Sequence, residues 1–345
     1  MSRSPQATAA AELVRHLQRL LVQTLQQMEK QYGDASEFTP VAWLRGGGEF
    51  GGGDRYTAAD TPTYNRASAN VSLIHYDTRP EKALASATAL SAIVHPQHPS
   101  APSMHMHISW TEMRDGRGYW RIMADLNPCQ ENSAQNHRFR EAVANAAGYR
   151  FDAGASQGDR YFYIPALRRH RGAVHFYLEA YRTEDDAADL ALARRVGEAA
   201  IRTYGEIVND ILDSSRTVTS EQRKTQLAYH TLYLFQVLTL DRGTTSGLLV
   251  HNENDEGILA SLPGQIDRDL LQSWADNVPS IQKPLVNAIV AALPEGPRPV
   301  IDAGTKRVLA EAVRQHYRAN PEALKLQARG DVVPPTVANH GTAND

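Results

Sequence analysis

Cysteine is almost absent from this sequence: Cys129 is the only one in 345 residues. A single thiol forms no internal disulfide and supplies no thiolate cluster for zinc or iron–sulfur, which fits a reducing cytoplasm. Long apolar runs are also lacking, since no stretch approaches the roughly 18 uncharged apolar residues of a membrane span, and no signal peptide begins the chain. We therefore expect a soluble, cytoplasmic protein.

A basic surface is lacking as well. The 36 Lys and Arg residues are outnumbered by 39 Asp and Glu, the net charge is −3, and the two signs are interspersed. This composition gives no electrostatic footprint for nucleic acid or an anionic membrane. The sequence also has no Walker loop, Rossmann fingerprint, flavin motif or Ser-His-Asp order. A small-molecule partner is predicted.

Hydrophobic periodicity predicts a strand-rich centre between helices. Helices are predicted at 8–30, 132–149, 184–213, 266–276, 281–293 and 305–317. Strands are predicted at 69–76, in the second half of 80–96, and at 103–113, 118–126, 160–167, 173–181, 232–240, 241–250 and 257–263. Strands that return by short turns indicate an α+β fold with a mostly antiparallel sheet. The glycines between 46 and 53 predict a flexible loop. We predict one domain over residues 1–318 and a flexible tail at 319–345.

Four of the 13 histidines fall within residues 95–107. In an extended segment alternate side chains share a face, so His105, His107 and Ser109 are predicted on one side of their strand. The Met and Ile residues between them suit a packed core on the other side. Two imidazoles on one face need water, hydrogen bonds or a ligand.

A divalent metal is one explanation for these imidazoles. His175 and Glu179 share a face of another predicted strand. His105, His107 and His175, or two of these histidines with Glu179, could form a site for Fe, Mn or Cu. The alternative is that the histidines only form hydrogen bonds in a cleft.

Two acidic positions are further candidates. Asp125 directly follows an apolar run, where burial would raise its pKa and suit acid–base chemistry, although Asp-Leu-Asn-Pro is also a good turn former. Asp241 and Arg242 precede glycine and could orient an anionic substrate or merely close a hairpin.

Several segments follow one another as in a known family. They are YNRASANVSLIHY (64–76), SAIVHPQHPSAPSMHMHIS (91–109), RIMADLNP (121–128), YFYIPALRRHRG (161–172), DRGTTSGL (241–248) and GILASLPG (257–264). Together they resemble the oxygen-dependent coproporphyrinogen III oxidase family over roughly residues 10–300. The resemblance implies a flat antiparallel sheet of about seven strands between helices, usually a homodimer, and a cleft for a tetrapyrrole. It also implies oxidative decarboxylation of two propionates to vinyl groups with O₂, generally without an organic cofactor.

The matching positions are Ser91, His95, His105, Asp125, Asp241 and Arg242. The chain departs from the family at three places. His107 and Ser109 stand where the family has Asn and Arg, Arg121-Ile122-Met123 replaces three glycines, and His251-Asn252-Glu253-Asn254 replaces a substrate-binding Gly-Gly-Arg segment. Loss of an arginine beside a carboxylate removes a bidentate ion pair.

These departures predict an O₂-dependent oxidase or oxidative decarboxylase of specialised metabolism, redirected to a smaller, electron-rich substrate. The predicted catalytic residues are Asp125, His105 and His107. The predicted substrate-binding residues are Ser91, His95, Ser109, Asp241, Arg242 and Asn252. One alternative is an authentic coproporphyrinogen III oxidase of haem synthesis with cations supplied from elsewhere, such as Arg45, Arg168, Arg169 or Arg171. A second is a non-catalytic tetrapyrrole- or metabolite-binding protein.

Overall fold

The computed structural model describes residues 4–214, 217–251 and 253–330, and its centre is a seven-stranded antiparallel sheet. Nine strands occur in the described part of the chain: β1 (Pro40–Leu44), β2 (Gly51–Ala59), β3 (Tyr64–His75), β4 (Leu84–Pro96), β5 (Ser103–Met113), β6 (Gly118–Asn127), β7 (Tyr163–Ile164), β8 (Arg169–His170) and β9 (Val174–Tyr181). The order across the large sheet is β1-β2-β3-β4-β5-β6-β9, while β7 and β8 pair separately.

Helices cover both faces of this sheet. They are α1 (Pro5–Tyr32), α2 (Ser133–Ala147), α3 (Phe151–Phe162), α4 (Asp186–Asp213), α5 (Ser220–Thr239), α6 (Arg242–Val250), α7 (Asp255–Ile258), α8 (Arg268–Ser273), α9 (Lys283–Ala292) and α10 (Ala303–Ala319). α1 and α4 pack on one face, and α5 to α10 share a second hydrophobic core beyond the other. The predicted α+β fold with a large antiparallel sheet is confirmed. None of the described helices combines the length and apolar character that crossing a bilayer requires.

The alternation predicted for β5 is observed. Met104, Met106 and Ile108 are fully buried in the core beneath α1 and α4. The packing is close, because a Cβ added to Gly197 of α4 would lie 2.8 Å from Cδ1 of Ile108. Side chains at the intervening positions of β5 therefore point to the opposite face of the sheet. This arrangement positions the histidine pair.

Several strand predictions were wrong because the segments are helical. Residues 232–240 belong to α5, in which every residue from Tyr229 to Thr239 is buried. A helix buried on all sides shows no amphipathic period, so a short apolar run reads as a strand. Residues 241–250 and 257–263 likewise contribute α6 and part of α7 rather than closing the sheet. The segment 160–167 begins inside α3, where Gly154 and Gly158 allow close packing against β9.

The predicted glycine loop was partly wrong. Residues 46–48 form one 3₁₀ turn, but Gly51 begins strand β2, which pairs on both sides. A Cβ at Gly53 would lie 1.8 Å from the carbonyl oxygen of Val71, so pairing here requires glycine. Residues 80–96 give a strand from Leu84 without the helix-like start.

The start of the predicted tail is structured. Residues 321–326 form a 3₁₀ helix, Ala323 is fully buried, and the amide of Ala328 donates to the carbonyl oxygen of Leu240 at 2.9 Å. Residues 331–345 of that tail lie outside the described residues. The boundary at residue 318 stays a prediction.

Candidate active site

A cavity of about 300 Å³ lies between the sheet and helices α5 to α7. This volume is at the lower end of the range for pockets that hold drug-sized ligands. Side chains from β5 and β6 form one wall, and the start of α6 forms part of the other. The charged and imidazole side chains that line the cavity are His105, His107, Arg121, Arg171, Asp241, Arg242 and His251.

His105 is held in the cavity by a buried carboxylate. β5 and β6 pair so that His105 is opposite Asp125, and Nδ1 of His105 is 2.7 Å from Oδ1 of Asp125. The other carboxylate oxygen accepts from Nη2 of Arg171 at 2.8 Å and from Nδ2 of Asn127 at 2.7 Å. Asp125 itself is fully buried and is not part of the cavity lining. It therefore acts on the cavity through His105 and Arg171, which both line it.

The ionisation of Asp125 differs from the sequence prediction. Burial alone would raise the pKa of this carboxyl, but the charges of Arg171 and His105 and the hydrogen bonds of His105 and Asn127 hold the pKa below its ordinary value. The predicted rise in its pKa was therefore wrong, and the catalytic role assigned to Asp125 stays a prediction. In the neutral ring, a carboxylate that accepts from Nδ1–H of His105 selects the tautomer with its lone pair on Nε2.

His107 is in a different state. Its Nδ1 is 2.8 Å from Oγ of Ser91 and its Nε2 is 3.0 Å from Oγ of Ser109. Burial, followed by the nearby charges of Arg121 and His105, lowers the pKa of His107 to about 3. The ring is therefore neutral at physiological pH, and both of its nitrogens are hydrogen-bonded to serines. His107 lines the same cavity as His105, but it does not bind the carboxylate of Asp125.

A guanidinium faces Ser109 across the strand pair. In the register of β5 and β6, Arg121 is opposite Ser109, so both side chains lie on the cavity face. Nε of Arg121 is 3.9 Å from Oε1 of Glu179, whose carboxylate also binds Arg242. The sequence interpretation treated Arg121 only as bulk. The structure places its positive charge beside the position at which the family resemblance expects an arginine.

Asp241 brings a second ionised carboxylate to the cavity. It is the N-cap of α6, where Oδ1 accepts from the amide of Thr244 at 2.7 Å and Oδ2 accepts from the hydroxyl of Tyr161 at 3.0 Å. Burial raises its pKa, but these hydrogen bonds and the charge of His105 outweigh burial and keep the pKa low. Unlike Asp125, this carboxylate lines the cavity.

Two predicted substrate-binding residues, His95 and Asn252, are not among the described residues that line the cavity. His95 is fully buried, with Nδ1 2.8 Å from Oγ of Ser103 and Nε2 3.2 Å from the carbonyl oxygen of Ser261. Its ring packs edge-on against Tyr233 at 4.6 Å, and burial holds its pKa well below the ordinary value. It supports the wall from behind. Asn252 lies outside the described residues.

The four tentative metal ligands do not converge. Nδ1 of His175 is 2.8 Å from Asp159, its Nε2 is 2.7 Å from the carbonyl oxygen of Arg171, and Glu179 is bonded to Arg242. Within residues 4–214, 217–251 and 253–330, no three His, Cys, Asp or Glu side chains form a group that could hold a metal ion. The predicted combination of His105, His107, His175 and Glu179 was therefore wrong, because each group except His105 has its ligand atoms engaged by a neighbour.

Sequence reasoning missed several residues of the site. Tyr161 of α3, Tyr177 of β9 and Tyr233 of α5 all line the cavity. Tyr161 and Tyr233 lie in helical segments that were predicted as strands, so strand alternation could not predict that their side chains line the cavity. Arg121 was detectable, since the turn after β5 fixes a register in which it shares a face with the histidines.

Comparison with known proteins identifies relatives. A sequence model described as Coproporphyrinogen III oxidase matches residues 9–280. A protein of Rickettsia akari (strain Hartford) named oxygen-dependent coproporphyrinogen-III oxidase is 26% identical over 271 residues, which cover 73% of this chain and 94% of the relative. Proteins of the same name from Rickettsia peacockii (strain Rustic) and Rickettsia bellii (strain OSU 85-389) are also 26% identical, with the same coverage.

Proposed function

Because the chain belongs to the coproporphyrinogen III oxidase family, we propose that it is an oxidoreductase that uses O₂ as co-substrate in the cavity between the sheet and α5 to α7. The relatives' name supports O₂-dependent oxidation of the coproporphyrinogen oxidase type. One observation carries the assignment to this cavity: His105 lines it with Nδ1 held by the buried carboxylate of Asp125 at 2.7 Å.

His105 is the proposed general base. With Nδ1–H donated to Asp125, Nε2 accepts a proton from a substrate N–H or O–H, and the electron-rich anion reacts with O₂. Asp125 is a positioning residue, which stabilises the imidazolium that forms and is itself kept ionised by Arg171. For a propionate side chain the balance is R–CH₂–CH₂–COO⁻ + O₂ + H⁺ → R–CH=CH₂ + CO₂ + H₂O₂. Two electrons pass from the side chain to O₂, and the bond to CO₂ breaks.

The proposed substrate is smaller than a tetrapyrrole. Arg121 occupies the cavity at a position where the resemblance expects glycine, and its side chain is only 13% exposed. A buried, charged side chain of this size takes space from a flat macrocycle and provides a partner for one acidic group instead. A mono- or dipyrrole with a carboxylate fits these two features, and specialised metabolism is its proposed setting.

An authentic coproporphyrinogen III oxidase is the second candidate. It is favoured by the same Arg121, because a guanidinium opposite Ser109 replaces the positive charge missing from β5. Arg242 and the buried Arg171 lie on the same side of the sheet. In this second candidate, arginines at other positions bind the carboxylates of coproporphyrinogen III, and the family's substrate is unchanged.

Metal chemistry is not part of the proposal, since the candidate ligands do not fit a metal ion. Homodimerisation and a cytoplasmic location stay predictions.

O₂ uptake by the purified protein tests the proposal. Coproporphyrinogen III and one- and two-ring pyrroles with a propionate should be compared, with H₂O₂ and CO₂ measured alongside. We expect uptake with a higher kcat/KM for the smaller substrates. A higher value for coproporphyrinogen III would favour the authentic enzyme. Tight binding without uptake of O₂ or release of CO₂ would refute catalysis and leave the non-catalytic binding protein.

A further inference from the structure

A second group of positive side chains lies beside the cavity, at the N-terminal end of α10. Arg55 on β2 is opposite Asn70 on β3 in the register, and Asn70 lines the cavity. Arg66 is four residues before Asn70 on the same strand, so both arginines project from the cavity face of the sheet. Nη2 of Arg66 is 3.5 Å from the carbonyl oxygen of Ile301, two residues before α10 begins. Lys306 is in the first turns of that helix.

The three cations are poorly exposed and short of partners. Arg66 is 9% and Lys306 is 8% exposed, while Arg55 is half-buried. Nε and Nη1 of Arg55 and Nε of Arg66 are buried without a hydrogen-bond partner in the structure. Among the described residues no carboxylate lies within 4.0 Å of any of the three positive groups. Buried charges without a paired anion are costly, so this arrangement indicates a missing negative partner.

The acidic groups near Lys306 do not fill that role. Its closest negative neighbours are Glu256 of α7 and Asp302, the N-cap of α10. Glu256 is 3.5 Å from Arg307, and the carboxylate of Asp302 accepts from the amide of Thr305 at 2.7 Å. Both acids are therefore engaged elsewhere. Asp60 also acts electrostatically on Arg66, but it is exposed and forms no ion pair with it, so the positive charge of the cluster is only partly balanced.

We propose that Arg55, Arg66 and Lys306 form a binding site for a small oxyanion, a phosphate or carboxylate group. Unpaired guanidinium N–H groups near an ammonium suit the several acceptor oxygens of such an anion, and both arginines are near enough to Lys306 for their charges to act on it. Lys306 lies outside the residues 9–280 that the family model matches, whereas Arg55 and Arg66 lie within them. The proposed site is distinct from the histidine-lined part of the cavity.

The oxyanion has two possible sources. It can be a free inorganic ion, or it can be an acidic group of the substrate, because Arg55 reaches the cavity wall: a Cβ on Gly257, which lines the cavity, would be 2.3 Å from its Nη1. Only the second source rests on the proposed function. Inorganic phosphate tests the site alone, and steady-state kinetics test the substrate arm.

The first arm measures the binding of inorganic phosphate by calorimetry and by its effect on thermal unfolding. Wild-type protein, Lys306→Met and Arg66→Gln are compared with the control Arg318→Gln, which removes one exposed charge from the far end of the same helix. We expect saturable binding by wild type and control, weakened about tenfold or more in each cluster variant. Without phosphate, Lys306→Met should unfold at no lower temperature than wild type, because a repelled cation has been removed.

The outcomes separate the possibilities. Absence of saturable phosphate binding by wild type, or equal binding by all four proteins, overturns the oxyanion site. A Lys306→Met variant destabilised equally with and without phosphate identifies a structural lysine and also overturns it. If phosphate competes with an accepted substrate and the variants raise KM without lowering kcat, the anion is part of the substrate. If phosphate binds but KM is unchanged, the site serves a free ion, whatever reaction the cavity performs.

The pH dependence gives an independent readout. Burial, with the charges of Arg66 and Arg55 opposing protonation and those of Glu256 and Asp302 favouring it, lowers the pKa of Lys306 to about 8. The ammonium loses its proton as the pH rises, so phosphate affinity should fall above about pH 8 in wild type. Lys306→Met should not show this fall; an identical fall in both proteins contradicts the role of Lys306.

Discussion

Replacement of Asp125 by asparagine should separate positioning of His105 from simple folding. Asp125 is fully buried and accepts from three donors, at 2.7 Å, 2.8 Å and 2.7 Å. Asparagine keeps the shape but has one acceptor oxygen and an N–H₂ group. If that oxygen stays with Arg171, the amide faces Nδ1 of His105 as a donor. Nδ1 must then accept, and the tautomer of His105 is inverted.

The expected magnitudes differ for stability and for turnover. Removal of one partner from a buried ion pair costs about 3–5 kcal/mol, and the retained amide hydrogen bonds favour the lower end of that range. Inversion of the tautomer places N–H on Nε2, where a base is needed, so kcat should fall roughly 10²- to 10⁴-fold. Urea unfolding measures the first effect, and O₂ uptake by the folded protein measures the second. The ¹⁵N shifts of the His105 ring report the tautomer directly.

Asp159→Asn is the matched control. Asp159 also binds a histidine nitrogen, Nδ1 of His175, at 2.8 Å, but its side chain is 62% exposed and His175 does not line the cavity. Because the carboxylate of Asp159 is largely exposed, its contact with the buried His175 contributes about 1 kcal/mol or less, so the control should retain stability and activity. Near-normal kcat in Asp125→Asn, or equal losses in the two variants, would refute the reasoning.

Three further predictions concern the same cavity. His107 has a folded pKa of about 3 against about 6.5 unfolded, so the unfolded state binds an extra proton between these values and stability falls with decreasing pH. Near pH 5 the free energy of unfolding, measured by urea titration, should change with pH about 1.4 kcal/mol per pH unit less steeply in His107→Asn than in wild type. An unchanged pH dependence would contradict the low pKa of His107. Arg121→Gly should raise kcat/KM for coproporphyrinogen III on the order of tenfold by relief of overpacking, whereas the exposed Arg117→Gly should not. An equal kcat/KM for coproporphyrinogen III in the two variants would mean that Arg121 has no role in substrate specificity. Chelator treatment should leave O₂ uptake unchanged, and loss of uptake that added metal restores would contradict the absence of a metal from the proposed chemistry.

The wall of the cavity formed by β5 and β6 was predictable from the sequence, because its strands alternate and a short turn fixes their register. That pattern placed His105, His107 and Ser109 on one face, and the same register puts Asp125 and Arg121 beside them. It did not indicate that Asp125 would lie behind His105, since depth below a surface depends on what packs over it. Arg171, which determines the charge state of Asp125, comes from a loop with no periodic signal.

The opposite wall could not be predicted in the same way. α5 is buried on all sides, so its apolar run carries no helical period and was interpreted as a strand. The residues of α6 were also predicted as a strand, so Asp241 was not recognised as a helix cap. The proposed metal failed for a related reason. Shared faces bring side chains near one another, but hydrogen-bond partners such as Ser91, Ser109 and Asp159 determine whether a nitrogen is available.

The most direct test of the central claim is O₂ uptake by His105→Gln with the substrate that wild type uses best. Glutamine can still donate to Asp125 but offers no basic nitrogen to the cavity. The account predicts unchanged substrate affinity and a kcat lowered roughly 10²- to 10⁴-fold. A kcat within a few-fold of wild type would contradict it.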